Sequence, residues 1–192
     1  AAARMTFSIS PSGGKATAGS DYTDFTGGTG WIAVGASSTT VSVTVKEDTL
    51  FENTETVTAT ISSPSNAGVT ISTASATANI TDNDNGAGSI NAALDVSTQG
   101  VEGSANVVFR VTLAKANNTH SPVTFTIANS GGTATSGSDF TAFGGTISVA
   151  DGSATGTLTV TVTNDVLFEN TETIQATISS PSDAAVAIGT AV

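Results

Sequence analysis

The chain has 192 residues, with 16 acidic against 5 basic side chains, and its formal net charge is −11 at pH 7. This balance argues against nucleic-acid binding, which needs a basic surface. The absence of cysteine excludes disulfides, thiolate metal sites and cysteine catalysis, and the short apolar runs exclude a membrane-spanning helix. With 38% apolar residues the chain can bury a core, and its length corresponds to one or two domains.

Two copies of one unit follow each other along the chain. Residues 48–65 read DTLFENTETVTATISSPS and residues 165–182 read DVLFENTETIQATISSPS, so fifteen of eighteen positions are identical at an offset of 117. Further upstream, GKATAGSDYTDF at 14–25 matches GTATSGSDFTAF at 132–143 at an offset of 118. A period of this length indicates a tandem of small domains rather than the short repeats of a solenoid.

Each copy is predicted to consist of short β-strands. Apolar and polar residues alternate with period two, β-branched residues dominate, and Gly, Asn, Asp and Pro clusters separate the runs. The predicted strands are 41–45, 57–61 and 74–80 in the first copy, and 89–96, 105–114, 123–129, 146–150, 155–163 and 173–180 in the second. No stretch has a helical period. The sequence therefore predicts an all-β protein made of two tandem immunoglobulin-like antiparallel β-sandwiches.

The two predicted domains span residues 1–86 and 87–192, and each lacks strands at a chain end. The first copy has no segments that match the first two strands of the second copy. The second copy has no match to the closing strand that the first copy carries at 74–80. Two interpretations follow: the chain is a window cut from a longer array, or neighbouring chains supply the missing strands by strand addition.

Most acidic residues fall at one end of the predicted sandwiches. When consecutive strands run up and down, the loops after the first, third and fifth strands and the exit from the seventh share an end. Thirteen of the 16 acidic residues lie there, and the exceptions are Asp95, Asp151 and Asp183. Because like charges repel, such a gathering needs a compensating cation, and Lys and Arg are scarce.

Calcium is the cation that this pattern favours. It accepts six to eight oxygen ligands in flexible geometry, whereas magnesium needs a strict octahedron and zinc would need His or Cys. The chain has one His and no Cys. The alternative, that the loops are merely polar and solvated, explains a single acid better than a pattern across four loops. The spacing of an EF-hand is not met after Asp82, because Gly86 comes one place early.

These motifs resemble the Calx-β domain, which occurs in sodium–calcium exchangers and in large bacterial surface proteins. The resemblance covers essentially the whole chain in a constant order, and it implies calcium bound at one end of each sandwich. The shared elements are G-x-A-x-x-G-x-D-[YF] at 14–22 and 132–140, D-x-x-F-E-x-x-E at 48–55 and 165–172, I-T-D-N-D at 80–84, and the Glu-Gly pair at 102–103.

The resemblance also implies which residues hold the ion. The carbonyls of Leu50 and Leu167 are implied as further ligands, and interruptions of the acidic runs at Thr49, Asn83 and Val166 imply fewer ions than in the family's richest sensors. The implied carboxylate ligands are Asp21, Asp48, Glu52, Glu55, Asp82 and Asp84 in the first copy, and Glu102, Asp139, Asp165, Glu169 and Glu172 in the second.

Several other residues were considered as sites. Phe51 and Phe168 occupy matching positions and are interpreted as plugs that anchor the acidic loops to the core. Trp31 is predicted to pack in the core or at a strand edge, and His120 to lie in a surface loop away from the acids. No G-x-S-x-G motif occurs, and with 5% aromatic residues the chain lacks the aromatic-rich cleft of a glycosidase, so an enzyme is not expected.

The leading functional hypothesis is a calcium-binding extender repeat of a large extracellular or cell-surface protein, an adhesin or a fibre, in which calcium at the interdomain end stiffens the array. Its expected partners are neighbouring repeats, with homo-assembly into fibres as a further prospect, and neither nucleic acid nor membrane insertion is expected. The alternative is a regulatory calcium-sensor module of a membrane ion exchanger, and a third reading is a filament subunit that exchanges strands. Near-identical copies favour the extender, because a sensor is expected to have unlike copies with graded affinities.

Overall fold

The computed structural model describes residues 3–84 and 86–189, and the chain divides into two compact units. The first unit runs to residue 49 and resumes at 54–82, whereas the second comprises 50–53 together with the residues from 83 onward. The sequence placed the whole acidic segment 48–55 in the first copy. The structure instead assigns its four central residues, including Phe51, to the second unit.

All regular elements of the described residues are β-strands, which confirms the all-β class. Within those residues no helix is long and apolar enough to cross a bilayer. The strands are β1 Met5–Gly14, β2 Gly28–Ile32, β3 Glu55–Ser62, β4 Ser75–Ile80, β5 Ile90–Thr98, β6 Val107–Leu113, β7 Val123–Gly132, β8 Gly144–Val149, β9 Thr155–Val160, β10 Ile174–Ser179 and β11 Val186–Ile188.

The first unit contains one antiparallel sheet with the strand order β2-β1-β3-β4. Phe7 of β1 stands opposite Gly30 of β2, and a Cβ added to that glycine would lie 2.2 Å from the Phe7 ring. A side chain at position 30 would therefore force the Phe7 ring to shift from its place over the strand. Trp31, on the edge strand β2, is half exposed with the Arg4 guanidinium 5.6 Å from its ring centroid, which agrees with the predicted strand-edge position.

The second unit is a sandwich of two sheets, with the orders β11-β5-β6-β9 and β10-β7-β8. Alternate residues of β6 and β7 point into the core, as period-two patterning requires. Phe109 from one sheet and Phe125 and Ile127 from the other are almost fully buried there. The packing of two sheets over an alternating core confirms the immunoglobulin-like sandwich for this copy.

The predicted strand at 41–45 is wrong for the described structure. Only Val45 makes an isolated bridge, to Tyr22, and both Val41 and Val45 are exposed. Of the matching residues 158–162 in the second copy, the first three belong to β9, which pairs with β6, and Val162 makes an isolated bridge to Phe140. At the end of this run the Thr44 carbonyl accepts from the Thr23 amide at 2.9 Å, and among the described residues 41–45 forms no regular ladder with a named strand. The named strands of the first unit's described residues therefore form the single sheet β2-β1-β3-β4.

Candidate metal centre

Asp139 is held in place by the loop between β7 and β8. The Thr135 amide donates to Asp139 Oδ2 at 2.5 Å, and the Asp139 carbonyl accepts from the Thr163 amide at 2.8 Å. The next residue, Phe140, is completely buried and makes an isolated bridge to Val162. Asp139 accepts two hydrogen bonds and lies next to a buried aromatic residue, and together these contacts fix its carboxylate at the end of the sandwich.

The loop between β9 and β10 brings two further carboxylates to Asp139. One oxygen from each of Asp139, Glu169 and Glu172 lies within 4.8 Å of the other two. Asp139 is half-buried and the two glutamates are exposed. Residues 30 or more positions apart in the sequence therefore meet, because the loops after the third and fifth strands of this sandwich share one end.

The surroundings of Glu169 and Glu172 disfavour the ionisation of these two carboxyl groups. Loss of solvation raises the pKa of Glu169, and the charges of Asp139, Asp165 and Glu102 raise it further. A hydrogen bond with Asp139 raises the pKa of Glu172, and lost solvation and the neighbouring carboxylates act in the same direction. The negative charge of each glutamate is therefore less favourable here than on a freely solvated side chain.

A cavity of about 910 Å³ opens over this cluster. Its polar lining includes Glu102, Asp139, Glu169 and Glu172, and its apolar lining includes Val107. Across residues 3–84 and 86–189, the salt bridges of the chain do not include any of the three clustered carboxylates. A cation from solution can reach the cluster through this opening.

The donor set fits calcium. Three carboxylates supply up to six hard oxygen atoms, and an oxygen–oxygen separation of up to 4.8 Å is about twice the calcium–oxygen distance of roughly 2.3–2.6 Å. Zinc is a poor fit, since no His or Cys joins the three acids. The implied carbonyl ligand Leu167 lies in an exposed turn, where its amide donates to Asp165 Oδ1 at 2.7 Å.

The first unit repeats part of this arrangement. Asp21 is buried, its Oδ2 accepts from the Thr17 amide, and its carbonyl accepts from the Lys46 amide at 2.9 Å. A carboxylate oxygen of Asp48 lies within 4.8 Å of one of Asp21. The backbone bonds match those of Asp139, so the two copies orient this aspartate in the same way.

The remaining predicted ligands lie in different settings. Glu55 is buried at the start of β3, opposite Ile80, and Asp82 is half-buried after β4. Glu52 belongs to the segment 50–53 of the second unit. Asp84 also belongs to the second unit, with its Oδ1 3.8 Å from Lys115 Nζ.

Of the five predicted ligands in the second copy, the structure brings one oxygen from each of three within 4.8 Å of the others. The charge of Glu102 raises the pKa of both clustered glutamates, and the charge of Asp165 raises that of Glu169. The sequence analysis missed the amides of Thr17 and Thr135, which orient the two aspartates. The signal that would have found them is the constant four-residue spacing between threonine and aspartate in both copies.

Comparisons with known proteins identify one family and several similar solved structures. The family model of the Calx-beta domain matches residues 1–84 and 91–191. Solved structures that resemble the chain include CBD12 from CALX1.2, at 21% identity and a TM-score of 0.39 over 93% of this chain and 68% of that one. Another is the calcium binding domain CBD12 of CALX1.1, at 18% identity and a TM-score of 0.39 over 93% and 67%. A comparison with curated protein sequences finds no match.

Proposed function

The chain belongs to the Calx-beta domain family, and from that premise we propose that it is a calcium-binding module rather than an enzyme. In the second unit, Asp139, Glu169 and Glu172 would hold the ion, and bound calcium would supply the positive charge that these acids lack. The observation that carries the proposal is the meeting of three carboxylates within 4.8 Å.

Electrostatics support reversible binding at this place. Of the 5 basic residues in the chain, Arg110 pairs with Asp95 at 2.5 Å and Lys115 approaches Asp84 at 3.8 Å. Lost solvation raises the pKa of Glu169 and a hydrogen bond with Asp139 raises that of Glu172, and repulsion from neighbouring carboxylates adds to both shifts. Binding of a divalent ion relieves that repulsion. Because both glutamates are exposed, the ion can exchange with solution.

Two cellular roles are compared, a regulatory calcium-binding module and an extender repeat. The regulatory role requires only the acid cluster of the second unit. Occupancy of an exposed, self-repelling acid cluster changes the charge and the stability of its loops, which is the response that a sensor requires. The extender role requires in addition further repeats in line and a location outside the cell. Both requirements remain predictions, and the flanking sequence is the observation that would separate the two roles.

The proposal is tested by calcium titration calorimetry on the full chain. We expect saturable, heat-producing or heat-absorbing binding of calcium, and Asp139→Asn should weaken the affinity of the second unit about tenfold or more, because it removes ligand charge. The matched control is Asp95→Asn, which removes the same charge from an exposed acid that is paired with Arg110. It should leave calcium binding unchanged.

Thermal unfolding supplies the second readout. At a calcium concentration 100 times the dissociation constant, ligand binding should stabilise the folded chain by about 2.7 kcal/mol. Absence of binding at millimolar calcium, or an equal loss of affinity in the Asp95 and Asp139 variants, would refute the proposed site. Magnesium titrated in place of calcium should bind more weakly, since it tolerates flexible carboxylate cages poorly.

A further inference from the structure

Two copies of one motif have opposite surroundings in this molecule. Residues 48–55 read DTLFENTE and residues 165–172 read DVLFENTE. Phe51 is 0% exposed, whereas Phe168 is 100% exposed and its neighbours Val166 and Leu167 are 99% and 66% exposed. Three consecutive apolar side chains are exposed to water, and burying them would lower the free energy of the chain. Such a contiguous patch indicates an interaction site.

The second unit shows what this motif binds. Phe51 belongs to the hydrophobic core of that unit and makes an isolated bridge to Asn117. The Asn118 amide donates to the Phe51 carbonyl at 2.9 Å, and Asn53 Nδ2 donates to the Thr119 carbonyl at 3.3 Å. The segment is therefore held by the buried Phe51 ring, by a backbone hydrogen bond at Phe51 and by a side-chain hydrogen bond from Asn53.

The receiving loop, residues 117–121, is held by hydrogen bonds that do not involve Phe51. Asn117 is completely buried, and its Nδ2 donates to the carbonyls of Ser121 and Val149 at 2.8 and 3.1 Å. Its Oδ1 accepts from the amide and the hydroxyl of Thr119 at 3.1 and 2.8 Å. A side chain with this many bonds fixes the loop, so the socket is preorganised for a phenylalanine.

From these observations we propose that Val166, Leu167 and Phe168 dock into the socket of another Calx-β repeat, one that carries the Asn-x-Thr-x-Ser loop of residues 117–121. The exposed motif 165–172 differs from the docked motif 48–55 at only one of eight positions, so we expect it to fit the same kind of socket. Within this chain the socket already holds Phe51, so two wild-type chains should not join through it. The proposal concerns a partner and does not depend on calcium binding.

The test extends the full chain with a repeat of its own. Residues 76–192 are appended after Val192, so that each added residue lies 117 positions after its original. Phe168 then precedes the added repeat by the same number of residues as Phe51 precedes the second unit. A single para-fluorophenylalanine at position 168 reports solvent exposure by fluorine NMR. In the unextended chain we expect an exposed signal, and in the extended chain a shift towards the signal of a chain fluorinated at Phe51.

Stability gives an independent measure. Phe168→Ala should leave the unfolding of the unextended chain unchanged, and in the extended chain it should raise the unfolding equilibrium constant of the added repeat about 100-fold or more. Circular dichroism shows whether the added repeat is folded. A folded added repeat with Phe168 still exposed overturns the proposal. So does an added repeat that does not fold, because the segment is proposed to complete its core.

A lipid surface is the other partner that an exposed Val-Leu-Phe segment could meet. Binding of the unextended chain to phosphatidylcholine vesicles, abolished by Phe168→Ala, would assign the segment to membranes and overturn the proposal. Loss of calcium binding in the calorimetric test would leave the fluorine signal interpretable, because that signal measures only the exposure of residue 168. Failure of the docking proposal and failure of the calcium proposal are therefore distinguishable.

Discussion

The segments 14–25 and 132–143 fold alike, whereas the segments 48–55 and 165–172 do not, although both pairs are close copies. In the first pair the aspartate accepts from the threonine amide four residues earlier, and a tyrosine or phenylalanine follows it into a buried position. In the second pair one phenylalanine is buried and the other exposed. Loops whose hydrogen bonds close within a few residues keep their shape, and loops that need a remote partner take the shape the partner allows.

The largest test of this comparison is the paired removal of the two phenylalanines. Phe51→Ala should destabilise the second unit by about 3–5 kcal/mol, because it empties a fully packed core position. Phe168→Ala should change the free energy of unfolding by less than about 0.5 kcal/mol. Denaturant unfolding of both variants measures the difference. Equal effects would mean that the two motifs share one environment in solution.

A pair of matched glycines should give the next largest effect. A Cβ at Gly132 would lie 2.0 Å from the Thr173 carbonyl oxygen at a φ of +117°, and a Cβ at Gly14 would lie 2.0 Å from the Thr56 carbonyl oxygen at +114°. Each alanine variant should cost about 3 kcal/mol through backbone strain and the forced shift of a neighbouring strand. Hydrogen exchange should show the loss of stability from each variant only in the sheet that contains the substituted glycine.

Gly152→Ala is the control for the glycine pair. Gly152 has a φ of +76° with nothing within 4 Å of the added Cβ, so the variant carries the strain of a positive φ without the clash. Its cost should be about 1 kcal/mol. If it proved as damaging as Gly132→Ala, the close approach of strands would not be the reason for glycine at the matched positions.

The smallest expected effect is on pH dependence, which distinguishes the acid cluster of the second unit from ordinary surface acids. The pKa values of Glu169 and Glu172 are raised in the folded chain, so the folded state binds these protons more tightly than the unfolded state. Without calcium, the free energy of unfolding should therefore rise as the pH falls from about 7 to about 5, towards the ordinary Glu pKa of about 4.3.

Two variants and one condition sharpen this measurement. Glu172→Gln should flatten the slope, because it removes a titrating group and one source of repulsion. Asp95→Asn, in an exposed ion pair with Arg110, should leave the slope unchanged in this range. Saturating calcium should reverse the trend, since calcium binds the ionised carboxylates and acid displaces it. A calcium-free chain that loses stability on mild acidification would contradict the raised pKa values.

Most of the second unit was predictable from local patterns. Period-two alternation located β6 and β7, and up-and-down strand parity predicted that the loops carrying Asp139, Glu169 and Glu172 would meet. The acidic pattern could not distinguish the three carboxylates that approach each other from Asp165 and Glu102, whose charges raise the pKa of Glu169. That distinction depends on how each loop turns, and Asp165 uses one oxygen to accept from the Leu167 amide.

The first unit shows where local patterns fail. The run 41–45 has the alternation of a strand as clean as that of β9, yet it is not a strand. A strand exists through its ladder, and the propensity of a five-residue run is too weak to order it without a partner. The same reasoning applies to Phe51, because no local signal distinguishes its motif from that of Phe168.

The sequence by itself determined the β-rich class, the tandem repeat, the Calx-β family and the end of the sandwich at which carboxylates gather. These properties depend on periodicity, on internal identity and on motif order, which are all readable along one dimension. Only the tertiary structure decided which acids approach within 4.8 Å of each other, which run becomes a strand and which phenylalanine is buried. Each of those outcomes depends on a residue distant in the chain, so nearly identical local sequences adopt different structures.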